Sequence, residues 1–429
     1  MQDKQKMAIL PSKSHFDKDF KLLLLSLFFN LIIHLILGFL YYNPVDFVLQ
    51  FEAAKKIAQG QLLYRDIGEL MTDVGPLPKP QYPPLYLYTL GFIIAIVGVK
   101  TFTWQMVKLF LIIFNLLVGI LVYFIVSDCL PSHPKAHMLA LIAMNWFLLN
   151  PITLAVIFSG FHDNFMLFFV LSGFLLLRKN HYSASGLCFG LALLVKPIAG
   201  IYMLPLVIWG INEQKIQTII IWFGAGLTFL LGSLPFLFLA PEEYLNDVFF
   251  VHAERLDPSM SFYTYFFSET SKTILPFIIQ ILLFGGYAIL ILQKMPISSS
   301  KRAIEAVLPF MTIFMAFNRI LYPHYVPFFF PFYSFVFIFL IAEQYSPKQK
   351  QNGKLLLGLL LGGLVLVYLG GSVWSLGWII EGYETYWYNP LFSISACVCI
   401  LGLILISLTS LYSLYGIAEK NDIREENRT

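Results

Sequence analysis

Long apolar runs, each close to the length that crosses a lipid bilayer, recur along this chain. A transmembrane helix needs roughly 20 mostly apolar residues, whereas a transmembrane strand is about half as long and alternates with polar positions. Only 12% of the 429 residues are charged, against about a quarter in ordinary soluble domains. The runs lie near 22–42, 104–127, 137–157, 164–178, 183–210, 216–239, 273–293, 303–318, 323–342, 354–376 and 390–416. The sequence therefore predicts an all-α polytopic membrane protein.

Two apolar stretches depart from a simple crossing. The run at 183–210 is too long for one straight span, and Lys196-Pro197 interrupts it. Because proline ends or kinks a helix, we expect two short spans that meet at Lys196. The stretch at 84–99 is short and aromatic, which favours an interfacial helix over a full crossing.

The distribution of positive charge predicts the orientation of the spans. If 84–99 does not cross and 183–210 forms a hairpin, most of the 28 Lys and Arg residues fall on the side of the N-terminus. That side is cytoplasmic by the positive-inside rule, and the arrangement has about 12 spans with both ends inside. We expect a single membrane domain, 1–429, made of a cytoplasmic tail (1–21), a first outer loop (43–103), core spans (104–342), two C-terminal spans (354–416) and a second tail (417–429).

Polar residues from distant parts of the sequence fall on the outer side of this arrangement. Ionisable groups at membrane depth are energetically expensive and usually functional. A carboxylate can accept a proton from an attacking hydroxyl, and a cation can hold a phosphate. Together, such groups favour group transfer from a lipid phosphate. The candidate residues are Asp46, Tyr82, His162, Asp163, Lys196, Arg255, Arg319 and His324.

Simpler roles remain open for these residues at this point. Asp46 could cap a helix that starts near Phe47, since aspartate is a preferred N-cap. His162-Asp163 could cap the span that starts at Asn164. The side chain of Lys196 could extend to the membrane surface instead of forming a site.

Other features exclude some classes of function. The net charge of +3 gives no indication of nucleic-acid binding. The four cysteines lie mostly in or beside apolar runs, so a disulfide framework is not expected. No phosphate-binding glycine loop, CxxC, HExxH or GxSxG motif is present, and no metal-binding constellation is apparent. Arg255 alone could be an ordinary loop charge, and His324 alone could be structural.

Several segments between about 43 and 335 form an ordered set that resembles a known group of enzymes. They are VDF, AAKKIAQGQLLYRD, QYPPL, NPITLAVIFSGFHDN, GLALLVKPIAGIYMLPL, VHAERLDPSMSFYTYF and YPHYVPFFFPF. The set resembles the GT-C membrane glycosyltransferases that use polyprenyl- or dolichyl-phosphate sugars. Within that group it is similar to the catalytic subunit of GPI mannosyltransferase I and, more loosely, to bacterial polyprenyl-phosphate-mannose-dependent mannosyltransferases. The resemblance implies a GT-C-like bundle with juxtamembrane helices in the first outer loop.

The resemblance also implies roles for the candidate residues. Asp46 matches the catalytic acid of the first outer loop. The family has paired acids there and this chain has Asp46 alone, so no metal or other cofactor is expected. Asp163 matches a polar position in the second outer loop. Lys196, Arg255 and His324 match places where such enzymes contact the lipid phosphate or the sugar. Substrate binding is expected of these three residues and of Asp163, Arg319, His162 and Tyr82.

The resulting hypothesis is a hexosyltransferase, with mannose as the expected sugar. Its partners would be a polyprenyl-phosphate-sugar donor, a glycan or glycolipid acceptor and the bilayer, with room for a small membrane partner subunit. We expect a prokaryotic plasma membrane, because the chain is compact and IREENRT shows no retention signal, with the site on the extracytoplasmic face. Two alternatives remain open, namely a transporter or flippase of a lipid-linked sugar and a non-catalytic subunit of a glycan-assembly complex. The one-sided polar residues and the absence of a visible repeat argue against transport.

Overall fold

The computed structural model describes residues 13–40, 45–72, 75–77, 82–158, 160–213, 216–250, 275–294, 297, 299–318, 325–344, 350–385 and 390–426. Over these ranges the chain is an α-helical bundle, which confirms the predicted fold class. One short antiparallel pair, β1 (Leu70–Thr72) and β2 (Gly75–Leu77), was not predicted from the sequence. Buried apolar side chains form one contiguous core that extends from Leu23 to Ile406.

The helices are numbered along the described chain. They are α1 (Lys13–Leu40), α2 (Val45–Ala58), α3 (Leu85–Val97), α4 (Trp104–Cys129), α5 (Ala136–Leu148), α6 (Pro151–Phe158), α7 (Asp163–Arg178), α8 (Tyr182–Leu193), α9 (Leu204–Glu213), α10 (Ile216–Leu239), α11 (Pro241–Leu245), α12 (Leu275–Lys294), α13 (Ser300–Ala316), α14 (Val326–Gln344), α15 (Lys350–Thr385) and α16 (Pro390–Glu426). A 3₁₀ helix at Pro197–Met203 precedes α9, and a π-helix at Asn246–Phe250 follows α11.

Among the described residues, 5 helical segments are long and apolar enough to cross a membrane. They are Asp19–Leu40, Trp104–Cys129, Ile216–Leu239, Lys354–Val373 and Ile394–Tyr412. Shorter apolar helices include α3, α5 and α8. The chain is therefore a multi-pass membrane protein, while the total of about 12 spans stays a prediction.

The apolar run at 137–157, expected to be one span, is divided into α5 and α6. The break lies at Asn150, whose side-chain oxygen accepts hydrogen bonds from the backbone N–H groups of Ile152 (2.9 Å) and Thr153 (3.1 Å). Asparagine is a favoured N-cap residue. Proline is tolerated at the first helical position, because the N–H that it lacks has no partner within the helix there. Asn150-Pro151 therefore starts a new helix inside the apolar run.

The expected interruption at Lys196-Pro197 is confirmed. Helix α8 ends at Leu193, and Lys196 has an extended backbone (φ −150°, ψ 130°). The chain then continues as the 3₁₀ helix and α9. Proline fixes φ near the helical value but cannot donate to the preceding turn, so it stops one helix and starts the next.

Helix α8 packs closely between α7 and α10 because it carries glycines one turn apart. A Cβ atom added to Gly186 would lie 2.6 Å from the carbonyl oxygen of Ile221, and one added to Gly190 would lie 2.5 Å from Cβ of Thr228. On the α7 side, a Cβ at Gly173 would lie 3.0 Å from the ring of Phe189. Small residues at such spacing let helix backbones approach in membranes. This packing positions the end of α8, just before Lys196, against α7 and α10.

The two ends of α7 carry different polar groups. Asp163 begins the helix, whereas Arg178 ends it, roughly 22 Å away at 1.5 Å per residue. The guanidinium group of Arg178 bonds the carboxylate of Asp128 and, at 3.3 Å, the hydroxyl of Ser300. Lys179 pairs with the same carboxylate. The Asp163 end and the cationic Arg178 end therefore lie at opposite ends of the bundle core.

The segment predicted to be the first outer loop contains two packed helices, α2 and α3. A Cβ added to Gly91 of α3 would lie 2.8 Å from Cγ2 of Ile57 in α2. On its other side, α2 contacts the start of α4, where the rings of Phe47 and Trp104 are 6.1 Å apart. Both helices of the predicted loop are thus present and packed onto the bundle.

Candidate active site

A buried ion pair lies where α7 begins and α8 ends. The ammonium group of Lys196 donates to Oδ1 of Asp163. The side chain of Asp163 is 0% exposed and that of Lys196 is 9% exposed. The structure therefore brings together two of the sequence-predicted site residues, 33 positions apart. Because an isolated charge at such depth is very unfavourable, each group stabilises the charged form of the other.

The two simpler roles suggested for this pair are wrong. His162 occupies the N-cap position of α7, but its side chain makes no capping hydrogen bond. One carboxylate oxygen of Asp163 is bound to Lys196, and the other has no partner in the described part of the chain. Lys196 is buried and does not reach the surface. The carboxylate of Asp163 pairs with the ammonium group of Lys196 and does not cap α7, because that ammonium group is close and desolvated.

Aromatic rings surround His162. Its imidazole stacks on the ring of Tyr86 (4.4 Å between centroids, 9° between planes) and meets the ring of Tyr82 edge-on at 4.7 Å. His162 precedes α7, outside the membrane-spanning helices. Burial lowers its pKa well below the usual range, and the charge of Lys196 lowers that pKa further. The imidazole is therefore neutral at physiological pH.

The ring of Tyr82 links His162 to the ion pair. The ammonium nitrogen of Lys196 lies 5.0 Å from the centroid of the Tyr82 ring and 5.6 Å from that of Phe328 in α14. The hydroxyl of Tyr202 donates to the carbonyl oxygen of Phe328 at 2.9 Å. Such cation–ring contacts are attractive when the cation is desolvated. The rings thus hold Lys196 in place beside Asp163.

Backbone contacts hold the segments of the site in register. The N–H of Leu85 donates to the carbonyl oxygen of Leu194 at 3.0 Å, which joins the start of α3 to the end of α8. The hydroxyl of Tyr64 donates to the carbonyl oxygen of Tyr82 at 2.7 Å. Segments from the first loop and from the 183–210 region are therefore fixed to one another around the ion pair.

Gln50 of α2 connects the first outer loop to the same group. Its amide nitrogen donates to the carbonyl oxygen of Gly160 at 2.6 Å, and its amide oxygen accepts from the hydroxyl of Tyr86 at 2.6 Å. Gly160 has φ +89°, a conformation that favours glycine. The turn before His162 is thereby fixed to α2 and α3 at once.

Asp46 lies in the first turn of α2, which begins at Val45. The helix therefore starts earlier than the predicted Phe47, and Asp46 lies inside it. Asp46 precedes Gln50 by four residues, so the two positions share one helix face. The catalytic role of Asp46 stays a prediction.

Five buried polar atoms on three consecutive residues have no hydrogen-bond partner in the described ranges. They are both ring nitrogens of His162, Oδ2 of Asp163, and Oδ1 and Nδ2 of Asn164. Leaving a buried polar group unpaired costs about 1–3 kcal/mol. Such a concentration of unmet groups is typical of a place where a polar ligand or water binds.

Sequence reasoning missed three residues of this group, namely Gln50, Tyr86 and Asn164. All three are uncharged, and their types are common in ordinary loops and membrane interfaces. The available signal was position: Asn164 directly follows His162-Asp163, and Tyr86 directly follows the QYPPL segment.

Three predicted site residues, Arg255, Arg319 and His324, lie outside the described residues. Among the residues that the structure describes, no group of three or more His, Cys, Asp or Glu side chains could hold a metal ion.

Two mannosyltransferases are similar in sequence to about half of this chain. GPI mannosyltransferase 1 of Eremothecium gossypii is 24% identical over 230 residues, which cover 52% of this chain and 51% of that protein. GPI mannosyltransferase 1 of Kluyveromyces lactis is 23% identical over 228 residues, again 52% and 51% of the two chains. The match thus spans about half the length of the curated relatives.

ArnT from Cupriavidus metallidurans is among the solved structures to which the chain is similar. The form bound to undecaprenyl phosphate is 16% identical with a TM-score of 0.49, covering 92% of this chain and 79% of ArnT. The apo form is also 16% identical, with a TM-score of 0.46 and coverage of 92% and 78%.

The family model described as Glycosyltransferase family 87 matches residues 86–317, more than half of the chain. The matched range contains Tyr86, the His162–Asn164 segment and Lys196, and so includes most of the buried polar group described above. This match confirms the GT-C glycosyltransferase class that the ordered segments resembled. The chain therefore belongs to glycosyltransferase family 87.

Proposed function

We propose that this protein transfers a hexose, with mannose as the expected sugar, from a polyprenyl-phosphate carrier to a glycan or glycolipid acceptor. The observation that carries the proposal is the Gln50–Gly160 hydrogen bond. It joins the helix of Asp46 to the turn that leads into Asp163 and its partner Lys196. A candidate base and a buried polar group thus lie on elements in direct contact. The names of the two mannosyltransferase relatives support the choice of sugar.

Asp46 would act as the general base. It would take the proton of the acceptor hydroxyl while the hydroxyl oxygen attacks the anomeric carbon from the side opposite the phosphate. The bond between the anomeric carbon and the phosphate oxygen breaks, and polyprenyl phosphate leaves with the electron pair. Attack from the opposite side inverts the configuration at that carbon.

Cations would hold the departing phosphate. The charge of Lys196 is already matched by Asp163, so another cation has to stabilise the leaving group. Arg255 is the proposed phosphate contact, with Arg319 and His324 as further contacts on the same side of the predicted topology.

We place this site on the extracytoplasmic face. Asp163 and the cationic Arg178 end lie at opposite ends of α7. By the positive-inside rule, the cationic end belongs in the cytoplasm. The chain is proposed to be one membrane domain, 1–429, in a prokaryotic plasma membrane, with room for a small membrane partner subunit.

The test is transferase activity toward polyprenyl-phosphate-mannose in membranes that contain Asp46→Asn. We expect a loss on the order of 10²- to 10⁴-fold, because an amide cannot accept the proton. The matched control is Glu69→Gln, which removes an exposed acid from the same loop and should leave turnover unchanged. Near-normal turnover by well-folded Asp46→Asn protein would exclude Asp46 as the base.

A further inference from the structure

We propose that His162, Asp163, Asn164 and the ring of Tyr82 form a sugar subsite that binds the hydroxyl groups of the transferred hexose, and that the phosphate binds elsewhere. The inference deepens the proposed function and rests on it. Nothing in the sequence assigned Asn164 a role, and the sequence left open whether Lys196 meets the phosphate or the sugar.

The first argument is electrostatic. Lys196 is neutralised by Asp163, so the buried pair carries no net charge to attract an anion. The second carboxylate oxygen of Asp163 is buried and unmatched within the described ranges. A phosphate placed beside it would face a like charge in a site that excludes water, where such repulsion is strong. A neutral ligand meets no such repulsion.

The second argument is the mixture of donors and acceptors. A neutral imidazole presents one donor and one acceptor, the amide of Asn164 presents donors on nitrogen and an acceptor on oxygen, and Oδ2 of Asp163 only accepts. These atoms are among the buried polar atoms without hydrogen-bond partners in the described chain. Phosphate oxygens accept only, and an ammonium group donates only, so either would leave part of the set unmet. Each hydroxyl group both donates and accepts, so neighbouring hydroxyls of one hexose can satisfy the whole mixture.

The third argument is the ring of Tyr82. Tyr82 is half-buried, unlike the fully enclosed Tyr86. The centroid of its ring lies 4.7 Å from the centroid of the His162 ring. The same centroid lies 5.0 Å from the ammonium nitrogen of Lys196. The polar groups therefore adjoin one apolar surface. A pyranose has an apolar face of C–H groups beside its hydroxyls, and such a face can pack on an aromatic ring.

The experiment compares two probes on the full-length protein in lipid nanodiscs, namely polyprenyl-phosphate-mannose and polyprenyl phosphate without sugar. Wild-type protein should bind the sugar-bearing lipid more tightly. Asn164→Leu should lose about tenfold or more of that preference, while its affinity for the sugar-free lipid stays within about twofold. Asn212→Leu is the matched control, since the amide nitrogen of Asn212 is also buried and has no hydrogen-bond partner among the described residues, but Asn212 lies at the far end of α9.

A second arm changes the ligand, so it does not depend on the folding of a variant. Donors that lack one hydroxyl of the hexose are tested on wild-type protein, and at least one deletion should weaken binding about tenfold. Asn164→Leu, where it folds, should be insensitive to that same deletion. An acceptor series lacking single hydroxyls should show no such dependence on Asn164.

The outcomes separate the subsite from the proposed function. Equal loss of both lipids in Asn164→Leu, or unchanged binding of every deoxy donor by wild-type protein, would overturn the subsite even if transfer is intact. Dependence on the acceptor hydroxyls instead would assign these residues to the acceptor and overturn the inference as stated. Failure of wild-type protein to bind or use any polyprenyl-phosphate hexose would overturn the proposed function, and the subsite with it.

Discussion

The hydroxyl of Tyr86 donates to the amide oxygen of Gln50 at 2.6 Å, while the amide nitrogen of Gln50 donates to the carbonyl oxygen of Gly160 at 2.6 Å. Tyr86 also stacks on His162. One amide therefore couples α2, α3 and the turn before α7. Because both atoms of the amide are used, no other residue type of that length reproduces the two bonds.

Gln50→Leu should therefore reduce both stability and turnover. The substitution removes the hydrogen bonds from Gln50 to the buried hydroxyl of Tyr86 and the buried carbonyl oxygen of Gly160, at about 1–3 kcal/mol each, and frees the Gly160 turn from the helix of Asp46. Gln50→Glu is the informative second variant. Its carboxylate can still accept from Tyr86 but faces the carbonyl oxygen of Gly160, so kcat should fall more than KM rises. Melting temperature and steady-state kinetics in nanodiscs measure these effects.

Gln59→Leu, at an exposed position just beyond α2, is the matched control and should leave kcat and melting temperature near wild type. Unchanged kcat in both Gln50 variants would show that the coupling between α2 and the Gly160 turn has no catalytic role.

The buried pair of Asp163 and Lys196 leads to a prediction about single and double variants. Lys196→Met alone leaves a buried carboxylate uncompensated, which should destabilise the protein by about 3–5 kcal/mol. The double variant Asp163→Asn/Lys196→Met removes both charges and should recover most of that loss, since a neutral pair needs no charge compensation. Activity should not recover. Melting temperatures of the two single variants and the double variant measure the coupling.

The half-buried pair of Lys55 and Glu52, 3.0 Å apart on α2, provides the matched comparison. Lys55→Met should change stability by less than about 1 kcal/mol, because solvent screens that pair. If the double variant Asp163→Asn/Lys196→Met loses as much stability as its two single variants together, the two buried charges do not compensate each other.

Part of this site could be predicted from the sequence for a physical reason. Asp163 and Lys196 stand in apolar surroundings, where an ionisable group needs a partner, so each was identifiable as a site residue. Their direct contact depends on how α7 and α8 pack through Gly173 and Phe189, and nothing in one sequence shows which helices face each other. Gln50 gave no signal, and Asn164 only its position directly after Asp163, because an amide carries no charge to mark its role.

The same contrast holds for the fold. Hydrophobic length predicted the helical bundle and the interruption at Lys196-Pro197, because both follow from local chemistry. The break at Asn150 was missed, although Asn-Pro is a recognisable helix start, because the apolar run continues through it. Overall hydropathy therefore predicts well which segments can be buried, but it predicts less well at which residue each helix begins.

Close packing of α8 on α10 predicts opposite effects for one substitution at two glycines. Gly190→Ala should destabilise by about 1–3 kcal/mol, because its Cβ would lie 2.5 Å from Cβ of Thr228 and 2.7 Å from the carbonyl oxygen of Ala225. Gly226→Ala, at an exposed position of α10 where nothing lies within 4 Å, should be neutral or stabilise by up to about 1 kcal/mol. Melting temperature measures both. Equal effects of the two variants would show that α8 and α10 are not in such close contact.

His162 predicts how stability depends on pH. Its pKa in the folded protein is held well below the usual range, by burial first and by Lys196 second. In the unfolded chain the imidazole takes up a proton as the pH falls through about 6.5. The unfolded state then binds more protons than the folded state, so this residue lowers stability as the pH falls below that value. His162→Gln removes the proton uptake, so its melting temperature should fall less than that of wild type between about pH 7.5 and pH 5.

The control is His181→Gln, since His181 is exposed at the start of α8. That variant should keep the acid sensitivity of wild type. If instead His162→Gln loses as much melting temperature in acid as wild type does, then His162 is not the buried neutral group that the stacking on Tyr86 and the proximity of Lys196 require. A conservative ring replacement, His162→Phe, separates the titration from the packing. It keeps an aromatic ring against Tyr86, so it should match His162→Gln in acid while remaining more stable at neutral pH.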